Sequence, residues 1–354
     1  MNKILSKKII ISVVSLILVF ILLIFTLFSA PVIKGKKISF EVEKGSYVYN
    51  VGKKLKKEGL IRSYTAYKIY VKLKGINEYK SGTYTLSKGY SLPKIVKILN
   101  SGKYKNENIV ITFKEGRTIK SIAKEVSKKT NITEEEFLNV VNDEAYVESL
   151  INKYWFLTED LKDKNIYYSL EGYLYPETYY FSKDVSAKMI IETMLSQTDK
   201  IFTKYKEQFE NNNYSIKEIV TLASIIEKEA VYDKDKGKIA SVFINRLNKK
   251  MALGSDVTTY YAFKVELGSR ELTAREFNTY NPYNTRGPEM VGKFPIGPIA
   301  NFSISSLEAA LNPEITDYLY FVADNKGNTH FTKTYNEHKK VIKELKSSGR
   351  WIQL

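Results

Sequence analysis

Cysteine is absent from this 354-residue chain, which excludes thiolate metal sites, disulfides and a cysteine nucleophile. Histidine is nearly absent: His330 and His338 are the only two, and so sparse a pair fits surface or hydrogen-bonding positions better than a ligand set. A Ser-His-Asp hydrolase would need one of them as its base, and no GxSxG-like turn accompanies either. No metal and no cofactor is expected. Acidic residues are outnumbered, 39 against 55 basic ones, and the formal charge of +16 implies an anionic environment: nucleic acid, lipid headgroups or a cell-wall polymer. The lysines are spread along the chain rather than gathered in a patch, which argues against nucleic acid. Carboxylate chemistry is what remains.

Proline is scarce too, and unevenly placed. Five of the eight fall in NPYNTRGPEMVGKFPIGPIANFSISSLEAALNP, from Asn281, among repeated glycines. That density predicts a long loop with fixed turns, and long loops inside compact domains are commonly functional.

What is present begins with one long uncharged run. Ile9 to Ala30 follows Lys3, Lys7 and Lys8 and has the length of a membrane-spanning helix. A cleaved signal peptide fits less well, because Phe28-Ser29-Ala30-Pro31 would put Phe at −3 and Pro just after the cut. Lys34, Lys36 and Lys37 nearly balance the lysines before the span, so charge alone does not orient it. A large cysteine-free domain after a short tail is compatible with export.

Three segments after this run resemble one another: SFEVEKGSYVYNVGKKLKKEG from Ser39, TYTLSKGYSLPKIVKILNSG from Thr83 and VITFKEGRTIKSIAKEVSKK from Val110. Each predicts a strand, a turn at a glycine (Gly45, Gly89, Gly116) and an amphipathic helix. Small αβ units of this shape are similar to LysM carbohydrate-binding modules, and equally to an ordinary α+β spacer. Further on, Thr133 to Glu136 predicts a capped helix through Asn142, and Asp184 to Phe209 an amphipathic one. LEGYLYPETYYF, from Leu170, is dense in aromatic rings and carries Glu171 and Glu177, which suits either a glycan cleft or a core strand. YLYFVA and its DNKG turn, from Tyr318, predict a hairpin packed behind the helix described next.

That helix, SIKEIVTLASIIEKEAV, organises the rest. Ser215 with Glu218 predicts a capping box, and Ile216, Ile219, Val220, Ala223, Ile226 and Ala230 recur at helical spacing, predicting half burial. Lys228 falls opposite the apolar stripe, while Glu227 and Glu229 lie on its borders. Burial against Leu222 and Ile225 would keep Glu229 protonated near neutrality, as a general acid requires. The alternative is a solvated EKE tip.

LEGYLYPETY, TLASIIEKEA from Thr221, KIASVFINRL from Lys238, LGSDVTTYYA from Leu253, PYNTR from Pro282, GPIANFSISSL from Gly297 and YLYFVADNKGNTHF from Tyr318 follow one another in an order that resembles the endolytic murein transglycosylases of the MltG, or YceG-like, family. The resemblance implies a single-pass cell-membrane protein with its catalytic domain extracytoplasmic. That domain would cut peptidoglycan glycan strands between MurNAc and GlcNAc and leave 1,6-anhydroMurNAc ends. It implies Glu229 as the catalytic residue, with Glu227 supporting or exposed, and association with wall-synthesis proteins. Glu171, Asp256, Tyr283 and Asn284 are expected to bind substrate by their place in matching motifs.

The resulting expectation is an α+β chain: a cytoplasmic tail at 1–8, a transmembrane helix at 9–30, a membrane-proximal αβ module at 37–105, a LysM-like module and linker helix at 106–165, and a catalytic transglycosylase domain at 166–354. Two readings compete with the lytic one. In the first, an inverting muramidase pairs Glu229 with Asp256 or Glu171; in the second, a non-catalytic scaffold binds the wall.

Overall fold

The computed structural model describes residues 2–43, 45–102, 109–183 and 185–351 and, within the first helix, the side chains of 12–20 and 22–28. The expected 105/106 boundary and the expected helix start at Asp184 lie outside these residues. So do the side chains of Lys3, Lys7 and Lys8 and those of positions 9–11 and 21 of the expected span. The chain mixes helices with short antiparallel strand pairs, an α+β architecture, and divides into two compact units, Met1–Glu107 and Asn108–Leu354.

The first unit opens with one continuous helix, α1 (Asn2–Phe28). Among the described residues, no helix is long and apolar enough to cross a membrane. Strand β1 (Lys37–Val42), helices α2 (Val48–Lys57) and α3 (Tyr64–Leu73), strand β2 (Gly82–Ser87) and helix α4 (Leu92–Asn100) follow. β1 and β2 pair antiparallel, with Phe40 opposite Tyr84 and Ile38 opposite Leu86. Alternation along the strands sends Phe40, Val42, Tyr84 and Leu86 into a core completed by Val51, Leu55, Tyr67, Ile95 and Leu99. Gly52 is required there, since a Cβ at that position would lie 2.2 Å from the Tyr67 ring.

The second unit begins with β3 (Ile109–Thr112), α5 (Ile119–Lys129), α6 (Glu134–Val141) and α7 (Glu144–Ile151), and β4 (Thr178–Phe181) returns to pair antiparallel with β3. Then come α8 (Ala187–Lys204), α9 (Lys206–Glu210), α10 (Ile216–Glu229), α11 (Lys236–Asn248), α12 (Asp256–Ala262), α13 (Ala274–Phe277), α14 (Ile304–Leu311), the hairpin β5 (Tyr320–Ala323) and β6 (Thr329–Thr332), and α15 (Tyr335–Ser347).

The three similar segments all form strand, turn and helix, but they assemble differently. The first two pair with each other, whereas the third contributes β3 and α5 to the second unit. No division falls at 165/166. Ile111, Ile122, Phe137 and Leu150 share one core with Ile190, Ile219, Phe243 and Leu307, so the stretch from 109 to 165 is part of the larger unit rather than a module apart from it.

Helix α10 is the centre of that core. Ser215 caps it and Glu218 completes the capping box, as the sequence predicts. Its burial exceeds the expected half: every residue from Ile219 to Ile226 is buried, because α11, α12 and α14 all pack on it. Polar residues inside this packing are tied down. The Ile299 amide donates to Ser224 Oγ, and buried Asn301 receives the Leu174 amide while donating to the Arg117 carbonyl. Gly172 adopts φ +83°, and a Cβ there would lie 2.5 Å from Pro298 and 3.0 Å from Val220. The hairpin packs mainly on α15, where the Tyr320 ring meets Tyr335 and His338, and also on α11, through the edge-to-face pair Phe243–Phe321, while its Gly327 turn lies against Val231 and Tyr232 just past α10.

Candidate active site

The last turn of α10 carries Glu227, Lys228 and Glu229, and the fold treats the two glutamates in opposite ways. Burial would raise the pKa of Glu227, but hydroxyls of Ser303 and Ser306, the Ser303 amide and the Lys236 ammonium outweigh it and hold the carboxyl below its ordinary value. The hydroxyl contacts are 2.6 Å each, the amide 3.1 Å and the ammonium 3.2 Å. Ser303 is also the N-cap of α14, so ionised Glu227 joins α10, α11 and α14 into one block. It is neither solvated nor free.

Glu229 ends the helix, partly buried. Burial raises its pKa; Asp256 nearby adds to that, while the Ser255 hydroxyl and the Arg286 and Arg246 guanidiniums pull it back, with a net upward result. Ser255 Oγ donates to Glu229 Oε1 at 2.6 Å. Asp256 opens α12 and pairs with Arg286. Arg246, from α11, donates to the Leu253 and Leu319 carbonyls and lies over the Tyr320 ring. Two cations and one paired anion therefore surround a carboxyl that tends to keep its proton.

Of the expected site residues, Glu229 and Asp256 come together here. Glu171, Tyr283 and Asn284 do not, being 1%, 0% and 0% exposed. Glu171 accepts the Ile119 amide, the first of α5, at 3.0 Å and the Tyr261 hydroxyl of α12 at 3.0 Å, so it braces two helices. Burial pushes its pKa up to about 8. The Tyr283 hydroxyl accepts the Tyr167 amide, and the ring packs against Tyr167 and Tyr261. Asn284 donates to the carbonyls of Glu276, Phe277 and Thr279, closing the end of α13, and accepts the Thr259 hydroxyl. The polar atoms of these three side chains are engaged by the protein, not presented to a ligand.

Ser255, Arg246 and Arg286 are the site residues that the sequence reading passed over. All three stand inside motifs already singled out: LGSDVTTYYA, KIASVFINRL and PYNTR. Sequence order gave no sign that these segments converge. A cavity of about 490 Å³ lies at the opposite end of α10, lined by Tyr214, Glu218, Leu247 and Phe294 among others, and Glu229 does not line it.

A carboxyl whose pKa is raised at a helix end, beside an Asp256 carboxylate paired with Arg286, makes this second unit an α+β domain with a candidate general acid. The chain belongs to the YceG-like family, whose model matches residues 40–344. It is 38% identical over 322 residues to the endolytic murein transglycosylase of Bacillus subtilis (strain 168), covering 90% of this chain and 88% of that protein. To the endolytic murein transglycosylase of Streptococcus pneumoniae serotype 2 (strain D39 / NCTC 7466) it is 33% identical over 325 residues, 87% of this chain but 58% of that longer protein. A crystal structure of a yceG-like protein from Listeria monocytogenes superposes with a TM-score of 0.62 at 36% identity, covering 87% of this chain and all of that one.

Proposed function

We propose that this chain is a membrane-anchored endolytic lytic transglycosylase, cleaving the MurNAc–GlcNAc bond of peptidoglycan with Glu229 as general acid and then base. The enzyme class follows from the relatives, which are named endolytic murein transglycosylases and match along nearly the whole chain. The observation that carries the mechanism is the burial-raised carboxyl of Glu229, with no second unengaged carboxylate described beside it, since Asp256 pairs with Arg286.

One carboxyl suffices when the substrate supplies the nucleophile. Glu229 gives its proton to the glycosidic oxygen as the bond to MurNAc C1 breaks and positive charge develops on the ring. The departing GlcNAc keeps that proton as its hydroxyl. The C6 oxygen of the same MurNAc closes on C1 and passes its own proton to the Glu229 carboxylate, which regenerates the acid. Ring closure within one sugar replaces an activated water, and proximity supplies much of the acceleration. A hydrolase would need a second carboxylate to activate water.

The anchor and the location of the domain belong to the same proposal. Support for the anchor is the uncharged run Ile9–Ala30, all but its last two residues lying within a 27-residue helix, about 40 Å long at 1.5 Å per residue, with exposed Leu16, Phe20, Leu22 and Phe25. We place the chain that follows the anchor outside the cytoplasm, where peptidoglycan is, and the tail at 1–8 inside. The paired strands β1 and β2, with two helices between them and exposed Tyr47 and Tyr49, support a LysM-like glycan-holding role for the first unit. Partners in wall synthesis would meet the protein at the membrane.

Incubation of the full-length protein with purified peptidoglycan, followed by mass spectrometry of the released ends, tests the reaction. Anhydro ends support it. Reducing ends, one water heavier, would instead assign a muramidase, and sacculus binding without soluble products would assign a scaffold.

A further inference from the structure

We infer that Ser255 is a positioning residue for this reaction: its hydroxyl fixes Oε1 of Glu229, leaving Oε2 as the oxygen that delivers the proton and later receives one. The inference rests on the reading of Glu229 given above. It is carried by how firmly Ser255 itself is held. The residue is 3% exposed, and its hydroxyl donates to Glu229 Oε1 at 2.6 Å. Its amide donates to Thr285 Oγ1 at 3.0 Å, and its carbonyl accepts the Thr258 hydroxyl at 2.7 Å. Those two threonine hydroxyls bond each other at 2.8 Å, which closes a buried ring around the Ser255 backbone. Gly254, at φ +63°, makes the turn into it, its amide donating to the Thr285 carbonyl at 3.2 Å. A serine placed only to begin α12 would not need this clamp, and its side chain does not cap that helix.

The chemistry of the contact gives it a purpose. A hydroxyl donates more strongly to a carboxylate than to a carboxylic acid, so Ser255 favours the ionised form and opposes burial, which favours the neutral one. Glu229 must hold its proton until the glycosidic oxygen takes it, then persist as a carboxylate until the C6 hydroxyl gives one back. Balanced opposition between a dry surrounding and one fixed donor suits both halves of that cycle. The other charges facing the group are Asp256 on α12, Arg286 from the proline-rich loop and Arg246 on α11. None of these is altered by replacing Ser255.

The test is the pH profile of anhydro-product release by the full-length protein, for wild type, Ser255→Ala, Ser255→Cys and Ser255→Thr. Loss of the donor raises the Glu229 pKa. The alkaline limb of the Ser255→Ala profile should therefore move to higher pH while the rate at its optimum falls about tenfold or more. Ser255→Cys, nearly isosteric with a weaker donor, should shift the same way by less, and Ser255→Thr, which keeps the hydroxyl, should return the limb towards wild type. Infrared titration of the carboxyl, taken as the difference between each protein and its Glu229→Gln counterpart, reads the same pKa without substrate. A limb and a titration that stay in place in both Ser255→Ala and Ser255→Cys overturn the inference, whatever happens to the rate. Failure of the underlying reading looks different: Glu229→Gln would then still release anhydro ends.

Discussion

Glu227 and Glu229 leave the same turn of α10 two residues apart, and the fold shifts their ionisation in opposite directions. The first meets two serine hydroxyls, an amide and an ammonium within 3.2 Å; the second meets one hydroxyl, and burial prevails. Donor count decides the outcome, since each donor favours the charged form and desolvation opposes it. One carboxyl is thus held towards its ionised form as a structural fixture, and the other is shifted towards its neutral form.

Replacing Glu229 by Gln keeps volume and hydrogen bonding but removes the transferable proton. Anhydro-product release should fall by a factor on the order of 100 to 10,000, the ordinary value of general acid–base catalysis. The thermal midpoint should hold or rise slightly, because a strained carboxyl has been relieved. Retained cleavage at wild-type rate would remove Glu229 from the mechanism.

Asp256→Asn should move the alkaline limb of activity to lower pH. The negative charge of Asp256 helps to hold the proton on Glu229, and its loss also leaves Arg286 unpaired to favour the carboxylate. An acid with a lower pKa loses its proton, and with it the activity, at lower pH. The direction is opposite to that for Ser255→Ala. The shift should shrink as salt is raised, because Asp256 and Arg286 are partly exposed. A limb that moves upward contradicts the electrostatic account.

Glu227→Ala should destabilise the second unit without touching the chemistry. Lys236, 5% exposed, would keep the exposed Asp233 carboxylate and two serine hydroxyls as its remaining partners, while Ser303 and Ser306 would lose their shared acceptor, a loss of about 3 kcal/mol. Calorimetry should show the thermal midpoint falling by roughly 10 °C. Because folding depresses the Glu227 pKa below its ordinary 4.5, the stability it supplies is present above that pH and disappears as pH falls through the folded value. The corresponding acid sensitivity should be weaker in the variant. A midpoint within a degree of wild type would refute this role.

Asn284→Ala separates a structural role from a substrate contact. Removing a buried side chain that bonds three carbonyls and the Thr259 hydroxyl should cost about 1–3 kcal/mol or more in denaturant titration. The folded fraction should keep the wild-type KM. A raised KM with unchanged stability would restore Asn284 to the list of residues that touch the glycan.

Legibility in the sequence was uneven for identifiable reasons. The start of α10 was readable because a capping box is a local code: Ser215 and Glu218 need only each other and the intervening backbone. The strand–turn–helix form of the three similar segments was readable for the same reason. Their partners were not, since β3 finds its mate at Thr178–Phe181, far along the chain. Glu171, Tyr283 and Asn284 look like ligand-binding residues by type and motif, yet Glu171 and Tyr283 are engaged by groups distant in sequence, and Asn284 by carbonyls five to eight residues away and by the Thr259 hydroxyl. Ser255 and Arg246 were overlooked because a lone serine or arginine inside a motif carries no sign of what it will face.

By itself the sequence determined the available chemistry: without cysteine and with two histidines, an acid at the end of an apolar helix was the strongest candidate for catalysis. It also determined where helices begin, because caps and periodicity act over a few residues. Only the tertiary structure decided which of the paired glutamates has its pKa raised and which has it lowered. That depends on α12 bringing Ser255 and Asp256 to one carboxyl and α14 bringing Ser303 and Ser306 to the other, and desolvation and hydrogen bonding arise from neighbours that chain order does not name.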